Sequence, residues 1–275
     1  MKKLSGLFIF LSSDLPSIQK LKIILGYYLF SRVGRLKILG IKLGYNSGLR
    51  NHSLLILKEI FLNQVYSFTK TTDSKLKSTQ GVIIDIGANI GISTSYFRNK
   101  YPGVKLIAIE ASPINYHQLI KNIDVNKFQN IETINCFISN NDELTKFYHR
   151  RDKPGGSFGE GFKSKDSKSL EEFDVKTKKI SDIINLHKNI VIKIDVEGAE
   201  YKILEDLALS KNISEVIEII VEVSTCNLTH YNNLNMVLNN FYQLGFEARF
   251  ISDYTNKLLK NKSRQGHLQL ILLRN

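Results

Sequence analysis

Residues 82 to 93, VIIDIGANIGIS, set an acid, Asp85, near the end of an apolar run and then place Gly87 and Gly91 where a helical pattern begins. Glycine in such a turn permits positive φ and lets a ligand approach the main chain. The first turn of the following helix carries N–H groups without intrahelical acceptors, which suit a carboxylate or a phosphate. The spacing argues against a dinucleotide fingerprint, because Asn89 and Ile92 stand where that pattern needs its second and third glycines. A second apolar stretch, LIAIE, ends in Glu110, about 20 residues beyond the turn, a place from which an acid accepts ribose hydroxyls. A third, VIKIDVEGAEYKIL at 191 to 204, runs into Asp195 and Glu197 before Gly198, and VIEIIVEV carries Glu222. The pattern points to a nucleotide-like cofactor.

Together, DIGANIG, the EASP at 110 to 113 and IDVEGAE resemble the FkbM family of methyltransferases. The resemblance runs over roughly residues 50 to 275, taking in LKEIFLNQVY, ISDII and IIVEV, whereas residues 1 to 45 match poorly. It implies a class I fold, S-adenosyl-L-methionine as methyl donor, and O-methylation of a sugar or other small-molecule hydroxyl in polysaccharide or natural-product biosynthesis. The cofactor-binding set it implies is Asp85, Gly87, Ala88, Asn89, Gly91, Glu110, Ala111 and Phe137. Backbone groups of Gly87, Ala88 and Asn89 would meet the methionine carboxylate and amine, with Asp85 orienting the amine. Glu110 would hold the ribose, and the adenine would lie near residues 137 to 140.

Methyl transfer to a hydroxyl needs donor and acceptor aligned and a proton removed. Asp195, at the end of the fourth strand, is the first choice for base or orienting group, with Glu197 and Glu222 beside it. A structural alternative has Asp195 and Glu197 stabilising the start of the next helix, by roughly 0.3 to 1 kcal/mol each. A third reading lets the three acids hold Mg²⁺; it is not favoured. His149 and His230 are further candidates for base, and the six histidines show no zinc-ligand spacing.

These residues need a scaffold that brings strand ends together. Strand patterns fall at about 82–86, 105–110, 131–138, 190–195, 216–223, 246–251 and 268–273, alternating with helical patterns. That alternation predicts a doubly wound α/β sheet of seven strands, its last two strands antiparallel. Residues 1–80 are expected to be an N-terminal helical extension and linker, with a basic amphipathic helix in 17–45 and a polar turn over 69–80. Residues 81–275 are expected to form the methyltransferase domain. The glycine- and lysine-rich stretch 149–179 is expected to be a partly ordered substrate loop.

The net charge of +12 favours anionic partners. A nucleic-acid (RNA) methyltransferase is therefore an alternative function, though no N-P-P-Y style base-binding motif is present; a non-catalytic binding protein is another. The N-terminal apolar run falls short of the roughly 18 residues that span a bilayer, so a cytoplasmic enzyme is expected, with peripheral membrane contact through the basic N-terminal region as an option. Cys136 and Cys226 read as buried free thiols.

Overall fold

The computed structural model describes residues 35–38, 40–44, 53, 56–78, 81–150, 157–158, 170–196, 198–224, 228–250 and 267–274. Two strands made almost wholly of isoleucine and valine lie at its centre, β3 (Val82–Ile86) and β10 (Ile190–Ile194), each with all five residues buried. Such runs suit strands covered on both faces. They pair in parallel, and β4 (Lys105–Ile109) and β5 (Ile131–Ile134) extend the sheet on one side. On the other side stand β11 (Val216–Ser224), β13 (His267–Arg274) and β12 (Phe246–Phe250), giving the order β12-β13-β11-β10-β3-β4-β5. The strand β13 is antiparallel to both of its neighbours, in agreement with the expected terminal hairpin.

Side chains alternate between the faces of a strand, and the core divides accordingly. Ile84, Ile192 and Ile219 join one cluster with Ile203, Leu204 and Leu207 of α5 (Glu200–Leu209). Ile83, Val191 and Ile220 join another with Phe97 of α2 (Ile92–Lys100), Tyr66 and Phe68. The helix α3 (Pro113–Asn126) follows β4 and is capped by Ser112, whose hydroxyl accepts from the Asn115 N–H.

Three expectations need correction. First, 149–179 is not a loop throughout: β7 (Leu144–Arg150), β8 (Ser157–Phe158) and β9 (Leu170–Lys179) join β6 (Phe137–Ser139) in a four-stranded sheet. The reason is visible in β9, where Phe173, Val175 and Thr177 are more buried than the residues between them. The expected strand at 131–138 is likewise divided, because Asn135 turns its amide onto the carbonyls of Glu110 and Ala111 at 2.7 and 3.1 Å. Second, part of the supposed N-terminal helix is a hairpin of β1 (Arg35–Ile38) and β2 (Ile41–Gly44), turned at Gly40 with φ +86°. Asn122 and Asn126 of α3 bond the main chain of Gly44 and Lys42. The rest of 17–45 lies outside the described residues. Third, most of the supposed linker 69–80 is α1 (Lys70–Ser78), which buries Leu76 and pairs Asp73 with Lys77 at 2.6 Å. Among the described residues no helix is long and apolar enough to cross a membrane.

One buried arginine ties α2 to the turns at the amino ends of β4 and β5. The Arg98 guanidinium donates to the carbonyls of Tyr101, Pro102, Val104 and Asn130 at 2.6 to 3.0 Å. Burial lowers its pKa from the ordinary arginine value. Replacing it by methionine leaves these carbonyls without their donor, so Arg98→Met is expected to destabilise the fold by about 1 to 3 kcal/mol. Arg98→Lys should restore little, since a compact ammonium lacks the planar fork. Urea denaturation of both variants checks this.

Candidate active site

The glycine turn lies where β3 gives way to α2. Gly87 takes φ +76°, and a Cβ there would collide with the Asp195 carbonyl oxygen, so the close approach of the two strand ends requires glycine. Gly91 takes φ +89° ahead of α2, and Asn89 takes φ +52°. The turn is folded onto the end of β4: the N–H groups of Gly87 and Ala88 both donate to the Ile109 carbonyl, and that of Asn89 donates to Glu110 Oε2 at 2.8 Å. These N–H groups are therefore engaged inside the protein, unlike the outward presentation expected from the sequence. Ile92 and Ser93, the first residues of α2, line the cavity instead, and a first helical turn has N–H groups without intrahelical acceptors.

Behind the turn sits a buried ionic network. Asp85 is fully buried; its Oδ2 accepts from Ser93 Oγ and Thr94 Oγ1, both at 2.7 Å, and its Oδ1 lies 3.0 Å from Lys193 Nζ. Its carboxylate thus faces the interior, and Asp85 is not among the cavity-lining residues. Lys193, 1% exposed, donates to the Gly87 carbonyl at 2.9 Å and stands 3.9 Å from Asp195 Oδ2. Burial pulls the Lys193 ammonium down, but the attractions of Asp85, Asp195 and Glu110 together outweigh it and raise its pKa.

A cavity of about 460 Å³ opens over the carboxyl ends of the strands. Gly87, Ala88, Asn89, Glu110, Ala111, Phe137, Asp195 and Glu222 all line it. Gly91 does not, although it shapes the turn. Glu110 bonds the N–H groups of Asn89 and Ser112 at 2.8 and 2.9 Å. Burial pushes its carboxyl above the ordinary glutamate range, against those N–H groups and Lys193. Asp195 is the more open acid, 39% exposed, and accepts a hydrogen bond from the Tyr66 hydroxyl at 2.7 Å. Glu197 lies outside the described residues, and so does the environment of the His230 side chain. Among the described residues, no group of three or more His, Cys, Asp and Glu side chains could hold a metal ion.

His149, carried by the small sheet, bonds Ser112 Oγ through Nδ1 at 3.1 Å. It therefore lies on the Glu110 side of the cavity. Cys136 is a buried free thiol whose pKa burial raises to about 12, in line with the expectation; Cys226 lies outside the described residues. The residues missed in the sequence are Lys193, Tyr66 and Gln269. A lysine inside the buried run VIKID was the one available signal.

The seven-stranded order, with a glycine turn after the central strand and an acid after its neighbour, is that of a Rossmann-like class I methyltransferase sheet. Residues 85–248 match the methyltransferase FkbM domain, and the chain belongs to that family. Methyltransferase sdnD of Sordaria araneosa is 25% identical over 193 residues, covering 60% of this chain and 72% of that protein. Methyltransferase 1 of Beauveria bassiana is 28% identical over 171 residues, covering 55% and 66%. Among solved structures, TrmK of M. capricolum, in complex with S-adenosyl-homocysteine, shares 17% identity over 76% of this chain and 69% of that one, with a TM-score of 0.38.

Lys193→Met strands a buried carboxylate and is expected to destabilise the protein by about 3 to 5 kcal/mol. The raised folded pKa fixes the pH dependence. The contribution of Lys193 is complete below the unfolded lysine value, about 10.4, and is lost as pH rises through the folded value. Denaturation at pH 8 and at pH 11 should show a smaller gap between variant and wild type at the higher pH.

Proposed function

We propose that the protein transfers a methyl group from S-adenosylmethionine to a hydroxyl of a sugar or another small molecule. The observation that carries this is a single cavity in which Glu110, beyond β4, and Asp195, beyond β10, both open at the carboxyl edge of the sheet. Bound S-adenosylmethionine supplies an electrophilic methyl carbon on a sulfonium. Its fit is supported by the chemistry of Glu110. A carboxylate has about four acceptor sites, so the bonds of Glu110 to the Asn89 and Ser112 N–H groups and to the Asn115 side chain leave capacity for a ribose hydroxyl. The start of α2 suits the methionine carboxylate, and Phe137, 8% exposed, offers an apolar wall to the adenine. Asp195 then receives the acceptor proton, and Glu222 helps to orient the acceptor.

Glu110→Ala should weaken S-adenosylhomocysteine binding by roughly 10- to 100-fold, the worth of charge-assisted bonds of about 1.5 to 3 kcal/mol. In the wild type, affinity should fall as pH drops through a midpoint above the ordinary glutamate value, because protonation removes acceptor capacity from a carboxyl whose pKa is raised. Calorimetry against S-adenosylhomocysteine and NAD checks both; tight NAD binding with no response to the former would refute the reading.

Asp195→Asn should keep that affinity while lowering methyl transfer to the acceptor by roughly 100-fold or more. Chelator should leave the wild-type rate unchanged. Loss of the rate on chelation would restore the Mg²⁺ alternative, and near-normal turnover with a lower melting temperature would reduce Asp195 to a helix-start acid.

A further inference from the structure

Tyr66 reaches the site from a segment that precedes residues 85–248, the extent of the family match. Its hydroxyl donates to Asp195 Oδ2 at 2.7 Å, and Lys193 Nζ lies 3.9 Å from the same oxygen and 5.3 Å from the centre of the Tyr66 ring. The segment is fastened on both sides of the tyrosine. Before it, the Val65 carbonyl accepts from Gln269 Nε2 of β13 at 2.6 Å. After it, Phe68 stacks on Phe97 with centroids 5.3 Å apart. Thr69 donates through its N–H and hydroxyl to the buried Glu218 carboxylate of β11, the hydroxyl at 2.8 Å. A loop held at a stacked ring and two strands sets its phenol with little freedom.

We propose that Tyr66 is a positioning residue for Asp195, holding Oδ2 so that the other edge of the carboxylate is turned to the acceptor. The proposal rests on the reading of Asp195 as base. Burial, followed by the charges of Asp195 and Glu222, raises the phenol pKa well above its ordinary value, so Tyr66 remains a donor wherever the enzyme is folded near neutral pH. The charges around this pair are Lys193 on β10, Asp85 on β3, Glu222 on β11 and, acting on Lys193, Glu110 beyond β4. The nearest of them, Lys193, is engaged by Asp85 and the Gly87 carbonyl and stands farther from Oδ2 than the hydroxyl does; the others are acids.

The test is the crystallographic position of the Asp195 carboxylate in wild type, Tyr66→Phe and Thr69→Val. In Tyr66→Phe the carboxylate should leave its wild-type position or divide between rotamers, because the bond that fixes Oδ2 is gone. Thr69→Val, which loosens one anchor of the segment, should move it the same way by less. An Asp195 carboxylate that keeps its place in folded Tyr66→Phe overturns the proposal; if that variant does not fold, Thr69→Val decides alone. Affinity for S-adenosylhomocysteine should be equal in Tyr66→Phe and wild type, and a loss beyond 10-fold would place Tyr66 in the donor site instead. Wild type that fails to bind S-adenosylhomocysteine would remove the proposed function while leaving the position of the carboxylate readable.

Discussion

The Asp85–Lys193 pair is the constraint on which the rest of the site depends. The two residues are register partners across β3 and β10, and both are buried to within 1%. Against an apolar pair of the same volume, such an ion pair adds little net stability. What it adds here is position. Strands of near-uniform isoleucine and valine say little about which residue should oppose which, whereas a lysine that must find Asp85 has one good register. The same ammonium also reaches the Gly87 carbonyl and the edge of Asp195. One charge therefore ties the glycine turn, the central strands and the candidate base together.

From that pair outward, several side chains near the turn have internal partners. Ser93 and Thr94, at the start of α2, fasten the helix to Asp85; Asn89 and Ser112 fasten Glu110 to the turn and to α3. The result is a site whose side chains are held by the protein's own hydrogen bonds. Preorganised groups do not have to reorient when charge develops, and the burial that raises the pKa of Glu110 is the local strain that accompanies this arrangement.

The sequence made the central sheet legible because buried parallel strands are near-continuous apolar runs, and Glu110, Asp195 and Glu222 were legible as acids at or beyond the ends of such runs. The small sheet was hidden by composition: glycines and lysines in 149–179 drew attention away from the two-residue alternation of β9. The helix α1 was hidden because its buried face is small, with Leu76 its one large buried apolar residue. Asp85 was legible as important but not in its role, because only the fold shows that its carboxylate points to Lys193. Tyr66 carried no local signal at all, since its partner lies 129 residues away in the chain.

That distance bears on where the functional unit starts. A boundary at residue 80 lies just before the first core strand, yet Ile60, Val65 and Tyr66 line the cavity alongside Asp195 and Glu222. The glycine turn and the residues beyond β4 line the part of the cavity around Glu110. The wall facing Asp195 comes from the segment before α1. It is held by Glu218 and Gln269 on strands at the opposite side of β10 from Glu110. Changes in residues 56–69 therefore bear on the wall beside Asp195, while the bonds of Glu110 to Asn89 and Ser112 are made by other elements. The net charge of +12 then says little about what enters, since the wall around Asp195 carries two acids, Asp195 and Glu222, with Lys193 beside them, and is set by elements that lie far apart in sequence.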